Sequence, residues 1–226
     1  MLHYVRFPGA AKATGEDDRT VVLLHGRGAD ETDLSGLRPL LPANWTILLP
    51  RGPFAGSEWG YGGGWAWYRY LGGDRPEPDS FARSLVEVAE LLAALPALTG
   101  AAANQVVLGG FSQGGTVSLG YALAANGAGL PPQAGAFQTP RPASIANLSG
   151  FLPSHPRVRV DANTVAGQRF FWAHGRMDPA IPFAMATAGR GALRDAGANL
   201  FTVDEPGGHW IEHTSIEALI KWVNAP

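Results

Sequence analysis

Hydrophobic positions along this chain fall into two alternating patterns. Mostly apolar runs of five to seven residues recur at 20–26, 45–49, 105–109, 143–149, 168–173 and 199–204. Such runs fit strands buried on both faces of a parallel sheet. Between them lie helical patterns at 31–41, 79–95, about 113–126, 182–196 and 215–224. The clearest is 79–95, where Phe81, Leu85, Val88, Leu91, Leu92 and Leu95 make one apolar stripe. Asp79 or Ser80 can cap its start, and Pro96 and Gly100 close it. A weak alternation at 2–7 fits an edge strand. The near-strict exchange of strand and helix predicts an α/β fold, with a mostly parallel central sheet and helices on both faces. No composition break or internal repeat divides residues 1–226, so one domain is expected.

Four stretches read as loops. Residues 10–19 are polar, and 155–167 have no period. Residues 127–142 carry three glycines and four prolines, a long loop on the surface or over a site. Residues 51–73 are rich in glycine yet contain Phe54, Trp59, Tyr61, Trp65, Trp67, Tyr68 and Tyr70. That aromatic mass fits either a cluster covering one end of the sheet or the wall of a substrate pocket.

Composition narrows the function. A net charge of −2 gives no basic footprint for nucleic acid. The fifteen arginines are scattered, with only Lys12 and Lys221 beside them. Cysteine is absent, which removes thiol nucleophiles, disulfides and thiolate metal sites. The first residues lack a basic segment followed by an apolar one, and no uncharged apolar run reaches the roughly 18 residues of a membrane span. The expectation is a cytoplasmic protein. Asn44-Trp45-Thr46 and Asn147-Leu148-Ser149 match the glycosylation triplet, but both fall in runs expected to be buried. The oligomeric state is not set by the sequence, which leaves a homodimer open.

The chemistry gathers at the ends of the apolar runs. Gly110-Phe111-Ser112-Gln113-Gly114 fits G-x-S-x-G, a serine on a sharp turn between strand and helix. Backbone strain and close passage of the two elements favour glycine two residues either side. In an open α/β sheet, ligands sit beyond the carboxyl ends of the strands. Residues 25–30, Ser112, Asp178 and His209 all stand at such ends. A serine hydroxyl needs an imidazole to take its proton and a carboxylate to orient that imidazole. The order Ser112, Asp178, His209 suits this. Taken alone, Asp178 fits a loop or cap aspartate, and His209 fits a surface histidine in a glycine-rich turn. His209, Glu212 and His213 also spell H-x-x-E-H, an inverted zinc-protease string. Pro206-Gly207-Gly208 puts His209 in a loop rather than a helix, and no third ligand is evident, so no metal is expected. His25 and His174, each in a His-Gly pair, read as structural neighbours of the site.

Five segments together resemble the phospholipase/carboxylesterase family: Leu24-His25-Gly26-Arg27-Gly28-Ala29-Asp30, Gly110 to Gly115, Leu148 to Pro153, His174 to Pro182, and Gly208-His209. The resemblance runs from about Thr20 to the C-terminus. It implies a compact α/β-hydrolase fold without a large cap domain, and no cofactor. It implies Ser112 as nucleophile, Asp178 as acid and His209 as base, with the N–H groups of Arg27 and Gln113 as the oxyanion hole. Trp67, Tyr68 and Arg27 are the expected substrate-binding residues. The chain departs from the family at Arg27, where an apolar residue is usual. It departs again at Arg69, which ends Trp65-Ala66-Trp67-Tyr68-Arg69 where an acidic residue is usual. The implied activity is hydrolysis of small or medium carboxylic esters through a covalent acyl-enzyme. The same triad would serve a thioesterase on acylated protein or an acyltransferase. A fold that has kept its shape and lost catalysis, leaving a binding protein, is the alternative of another class.

Overall fold

The computed structural model describes residues 1–10, 19–102, 105–126 and 140–225. Nine strands and five α-helices appear among them in chain order. They are β1 (Tyr4–Phe7), β2 (Thr20–Leu24), β3 (Thr46–Pro50), β4 (Phe54–Ala55), β5 (Trp65–Ala66), α1 (Pro78–Thr99), β6 (Val106–Phe111), α2 (Gln113–Asn126), β7 (Ser144–Leu148), α3 (Ala162–Val165), β8 (Arg169–Gly175), α4 (Phe183–Asp195), β9 (Asn199–Glu205) and α5 (His213–Asn224). Seven strands form one sheet in the order β1-β3-β2-β6-β7-β8-β9. Only β1 runs antiparallel, against β3; the other neighbours are parallel. The α/β expectation holds.

Alternation along the strands builds two cores. Val22, Leu24, Leu108, Phe170 and Trp172 face α1, α2 and α4. Val21, Leu23, Val107, Phe171 and Ala173 face the other way, toward Ile216, Leu219, Trp222 and Val223 of α5. Because each strand is buried on both sides, its sequence is a continuous apolar run rather than an alternating one.

Several boundaries differ from the sequence reading for identifiable reasons. Helix α1 starts at Pro78, with Glu77 as its cap: the Glu77 carboxylate accepts the N–H groups of Asp79 (3.2 Å) and Ser80 (2.8 Å). Proline suits a first helical position because it lacks an N–H that would go unpaired, so the cap lies upstream of Asp79 and Ser80. The helix also passes through Pro96 to end at Gly100, whose φ of 79° suits glycine. The pattern at 31–41 is a 3-10 helix, Asp33–Leu40, containing Gly36 and Pro39. The expected loop at 155–167 holds the short α3, whose capping box pairs Asp161 with Thr164. Most of the proline-rich stretch 127–142 lies outside the described residues. No described helix is long and apolar enough to cross a membrane.

Candidate active site

Ser112 sits in the turn between β6 and α2 with φ 54°, in the left-handed region that few residues other than glycine adopt. Its flanking glycines are required by contact. A Cβ on Gly114 would lie 2.1 Å from the Leu24 carbonyl oxygen, and one on Gly110 would lie 2.5 Å from the Gly114 backbone. The turn thus presses β2, β6 and α2 together and lifts the serine side chain above the sheet.

The three expected side chains meet there. Ser112 Oγ lies 2.8 Å from His209 Nε2, and His209 Nδ1 lies 2.7 Å from Asp178 Oδ2. The other oxygen of Asp178 accepts the N–H groups of Ala180 and Ile181, both at 2.8 Å. Asp178 is buried, while His209 keeps an open edge. His209 is held by a glycine turn packed on the end of β8, where a Cβ on Gly175 would meet the Gly208 carbonyl at 2.3 Å. The H-x-x-E-H string is split among different partners. Glu212 accepts the Trp210 indole N–H, and His213 pairs with Glu217. Among the described residues no three histidine, aspartate or glutamate side chains gather to hold a metal.

Two backbone donors belong to residues of the cavity lining. The N–H groups of Arg27 and Gln113 have no acceptor among the described residues. Both residues line a cavity of about 300 Å³ that also exposes Ser112 and His209. The Arg27 donor is aimed by a neighbour. His25 Nδ1 donates to the Gly26 carbonyl at 2.7 Å, and its Nε2 accepts the Gly52 N–H at 2.9 Å. The Gly26 carbonyl and the Arg27 N–H belong to one planar peptide, so fixing the first fixes the second. This pairing requires a neutral ring, and burial pushes the His25 pKa below its ordinary value. His174 plays a parallel part beside the acid. It lies 2.9 Å from the Ile181 carbonyl and 3.4 Å from Asp178 Oδ2 through the same Nε2, and burial lowers its pKa too.

The cavity walls are mainly apolar. Tyr68, Tyr70, Phe111, Phe151 and Ile181 line the cavity, and the Tyr70 and Phe151 rings lie 6.0 Å apart. Tyr68 is fully buried, which pushes its phenol well above its ordinary pKa and keeps it neutral. Arg27 lines the cavity as expected. Trp67 does not: it lies behind the wall, with its indole N–H on the His25 carbonyl at 3.0 Å. It is too deep in the core to touch a ligand, so its expected role as a substrate contact is corrected to one of support. Arg69 is exposed and is not among the residues that line the cavity. Its charge instead helps hold the Glu77 cap below the usual carboxylate range, behind the larger effect of the Ser80 hydrogen bonds.

Sequence reasoning missed Phe151, Ile181 and Asp33 as lining residues, while Tyr70 belongs to the aromatic stretch it offered as a pocket wall. Phe151 follows Ser149, a second residue with positive φ (56°), in a turn where Gly150 packs on the Ser112 carbonyl. The Leu148 to Pro153 segment was visible as a motif, but nothing in its composition said that it faces the serine.

A family model described as Phospholipase/Carboxylesterase matches residues 10–225. The chain belongs to the phospholipase/carboxylesterase family. Its members are ester hydrolases, and solved structures carry the same fold. A Bacillus cereus carboxylesterase superposes with TM-score 0.79 at 20% identity, over 99% of this chain and 94% of that one. Zea mays acyl-protein thioesterase 2 gives 0.75 at 23%, over 99% and 98%. A Mesorhizobium loti carboxylesterase gives 0.74 at 21%, over 93% and 90%. These likenesses extend the phospholipase/carboxylesterase fold along the whole described sheet.

Proposed function

We propose that this family member is a serine carboxylic-ester hydrolase acting through a covalent acyl-enzyme on small or medium esters, within a single domain spanning residues 1–226. The observation that carries the reading is the unbroken relay from Ser112 Oγ through His209 to Asp178, with links of 2.8 and 2.7 Å, opening onto a cavity of about 300 Å³. A cavity of that size lies at the small end of ligand sites.

Each part has a task. His209 Nε2 takes the Ser112 proton as Oγ attacks the ester carbonyl carbon. Asp178 holds the His209 ring with Nδ1 protonated and stabilises the imidazolium that forms. The Ala180 and Ile181 N–H groups keep that carboxylate in place. Negative charge builds on the carbonyl oxygen, where the Arg27 and Gln113 N–H groups are preorganised to receive it, each worth about 3 kcal/mol in the barrier. The tetrahedral species collapses as its bond to the alkoxy oxygen breaks, and His209 returns the proton to the departing alcohol. Water, deprotonated by His209, then attacks the acyl carbon, and Ser112 leaves with its proton restored.

The aromatic wall of Tyr68, Tyr70 and Phe151 suits the apolar part of the ester. A panel of nitrophenyl esters of graded acyl length tests the reading, with the wild-type chain and Ser112→Ala side by side. Turnover by the wild type that the variant loses supports it. Equal turnover by both, or none by either, overturns it.

A further inference from the structure

One charged side chain in the cavity has no work in the relay. The Arg27 guanidinium lies over the Tyr61 ring, 4.8 Å from its centroid, in a cation–π contact. Tyr61 is itself fixed. Its N–H donates to the Gly56 carbonyl at 2.8 Å, and its hydroxyl accepts the Tyr70 N–H at 2.7 Å. Gly28 packs against the Tyr61 carbonyl so closely that a Cβ would lie 2.5 Å away. Arg27 is an exposed residue of the cavity lining, and its guanidinium rests on a fixed ring.

Some of the other arginines have carboxylate partners. Arg51 pairs with Glu31, Arg83 with Glu87, and Arg176 and Arg190 with Asp204. Arg27 has no carboxylate within ion-pair distance among the described residues, although it shares the cavity with Asp33. Burial lifts the Asp33 pKa above its ordinary value, with His25 opposing the shift and the Asp30 carboxylate adding to it. A planar guanidinium with free donors, held beside an apolar wall, matches the geometry of a carboxylate.

We propose that the cavity selects esters bearing a second, ionised carboxylate, and that Arg27 binds that group. The substrate class is the half-ester of a short dicarboxylic acid, in keeping with the small cavity. This rests on the esterase reading above. The chemistry is unchanged: Ser112 displaces the alcohol, water releases the acyl group, and the products are one alcohol and one dicarboxylate.

The test compares kcat/KM for three esters of similar size: monoethyl succinate, ethyl succinamate and ethyl 4-aminobutyrate. They place an anion, a neutral amide and a cation at the far end. The wild type should favour the anion over the amide by about tenfold or more, equivalent to about 1.4 kcal/mol. Arg27→Met should bring that ratio near one, Arg27→Lys should keep part of it, and Arg27→Glu should shift preference to the cation. Tyr61→Leu, which removes the ring but leaves the charge, should lower the ratio partway and serves if Arg27→Met does not fold. Succinate should inhibit hydrolysis of the amide ester competitively, and more strongly in the wild type than in Arg27→Met.

A wild-type ratio of one or below, or a ratio that survives Arg27→Met, overturns the proposal while ester turnover itself stands. A general electrostatic help to the oxyanion would raise all three esters alike and so also counts against it. If none of the three esters is turned over and Ser112 takes up no acylating probe, the esterase reading fails and the proposal falls with it.

Discussion

The side chain of Gln113 clasps the backbone at Trp67. Its Oε1 accepts the Trp67 N–H at 2.8 Å, and its Nε2 donates to the next carbonyl, that of Tyr68, at 2.7 Å. One residue thus offers its own N–H to the cavity and fixes the aromatic segment that forms the cavity wall. Ser84 completes the anchorage through a hydrogen bond to the Trp67 carbonyl.

Gln113→Ala leaves a buried N–H and a buried carbonyl without partners. The expected loss of stability is about 2–4 kcal/mol, since each unpaired buried group costs about 1–3 kcal/mol. Urea unfolding measures it. Ester turnover should fall roughly tenfold as Tyr68 loses its support, although the backbone donor remains. A variant as stable as the wild type would contradict this linkage.

His25 aims the Arg27 peptide through the Gly26 carbonyl. His25→Phe fills similar space but removes both ring nitrogens. With one oxyanion donor no longer held in place, kcat should drop about tenfold to a hundredfold, with KM changed much less. Steady-state kinetics on a neutral ester check the split. A change in KM alone would assign His25 to packing.

Stability should fall on mild acidification. Burial lowers the pKa of His25 and His174 below the ordinary value of 6.5. The unfolded chain therefore binds protons at these residues under conditions where the folded chain does not. Their contribution is complete above the unfolded value and is lost as pH falls through it toward the folded values. Each group steepens the decline by up to about 1.4 kcal/mol per pH unit in that window. Denaturant midpoints from pH 8 down to pH 5 should show the slope, and His25→Phe should reduce it.

Gly114→Ala should be among the most damaging single-methyl additions in the chain. The added Cβ meets backbone carbonyls of Leu24 and His25 at 2.1 and 2.7 Å, which cannot rotate away. A loss of about 3 kcal/mol or more is expected, within the upper range for overpacking. The measurement is the thermal or urea midpoint of purified protein. A wild-type midpoint would mean the turn is looser than these contacts require.

The α/β architecture was legible because strands buried on both faces leave continuous apolar runs, as at Val21 to Leu24 and Phe170 to Ala173. The relay was legible because each member stands just past such a run, at Ser112, Asp178 and His209. The cavity wall was less so. Trp67 and Tyr68 are neighbours of similar chemistry, yet only Tyr68 lines the cavity, while Trp67 turns into the core. The Gln113 clasp that decides this joins residues 46 apart, and no local pattern encodes it. Phe151 reaches the cavity through the positive φ of Ser149, a conformation that no residue type announces. The Glu77 cap was hidden because Asp79 and Ser80 satisfy the same local rule.

The central claim is that Ser112 is a nucleophile activated by His209. Incubation with a fluorophosphonate, followed by peptide mass spectrometry, tests it most directly. The account predicts one adduct on Ser112, absent from Ser112→Ala and strongly slowed in His209→Ala, with all three proteins folded. A folded wild type that stays unlabelled, or an adduct on another residue that survives Ser112→Ala, would contradict it.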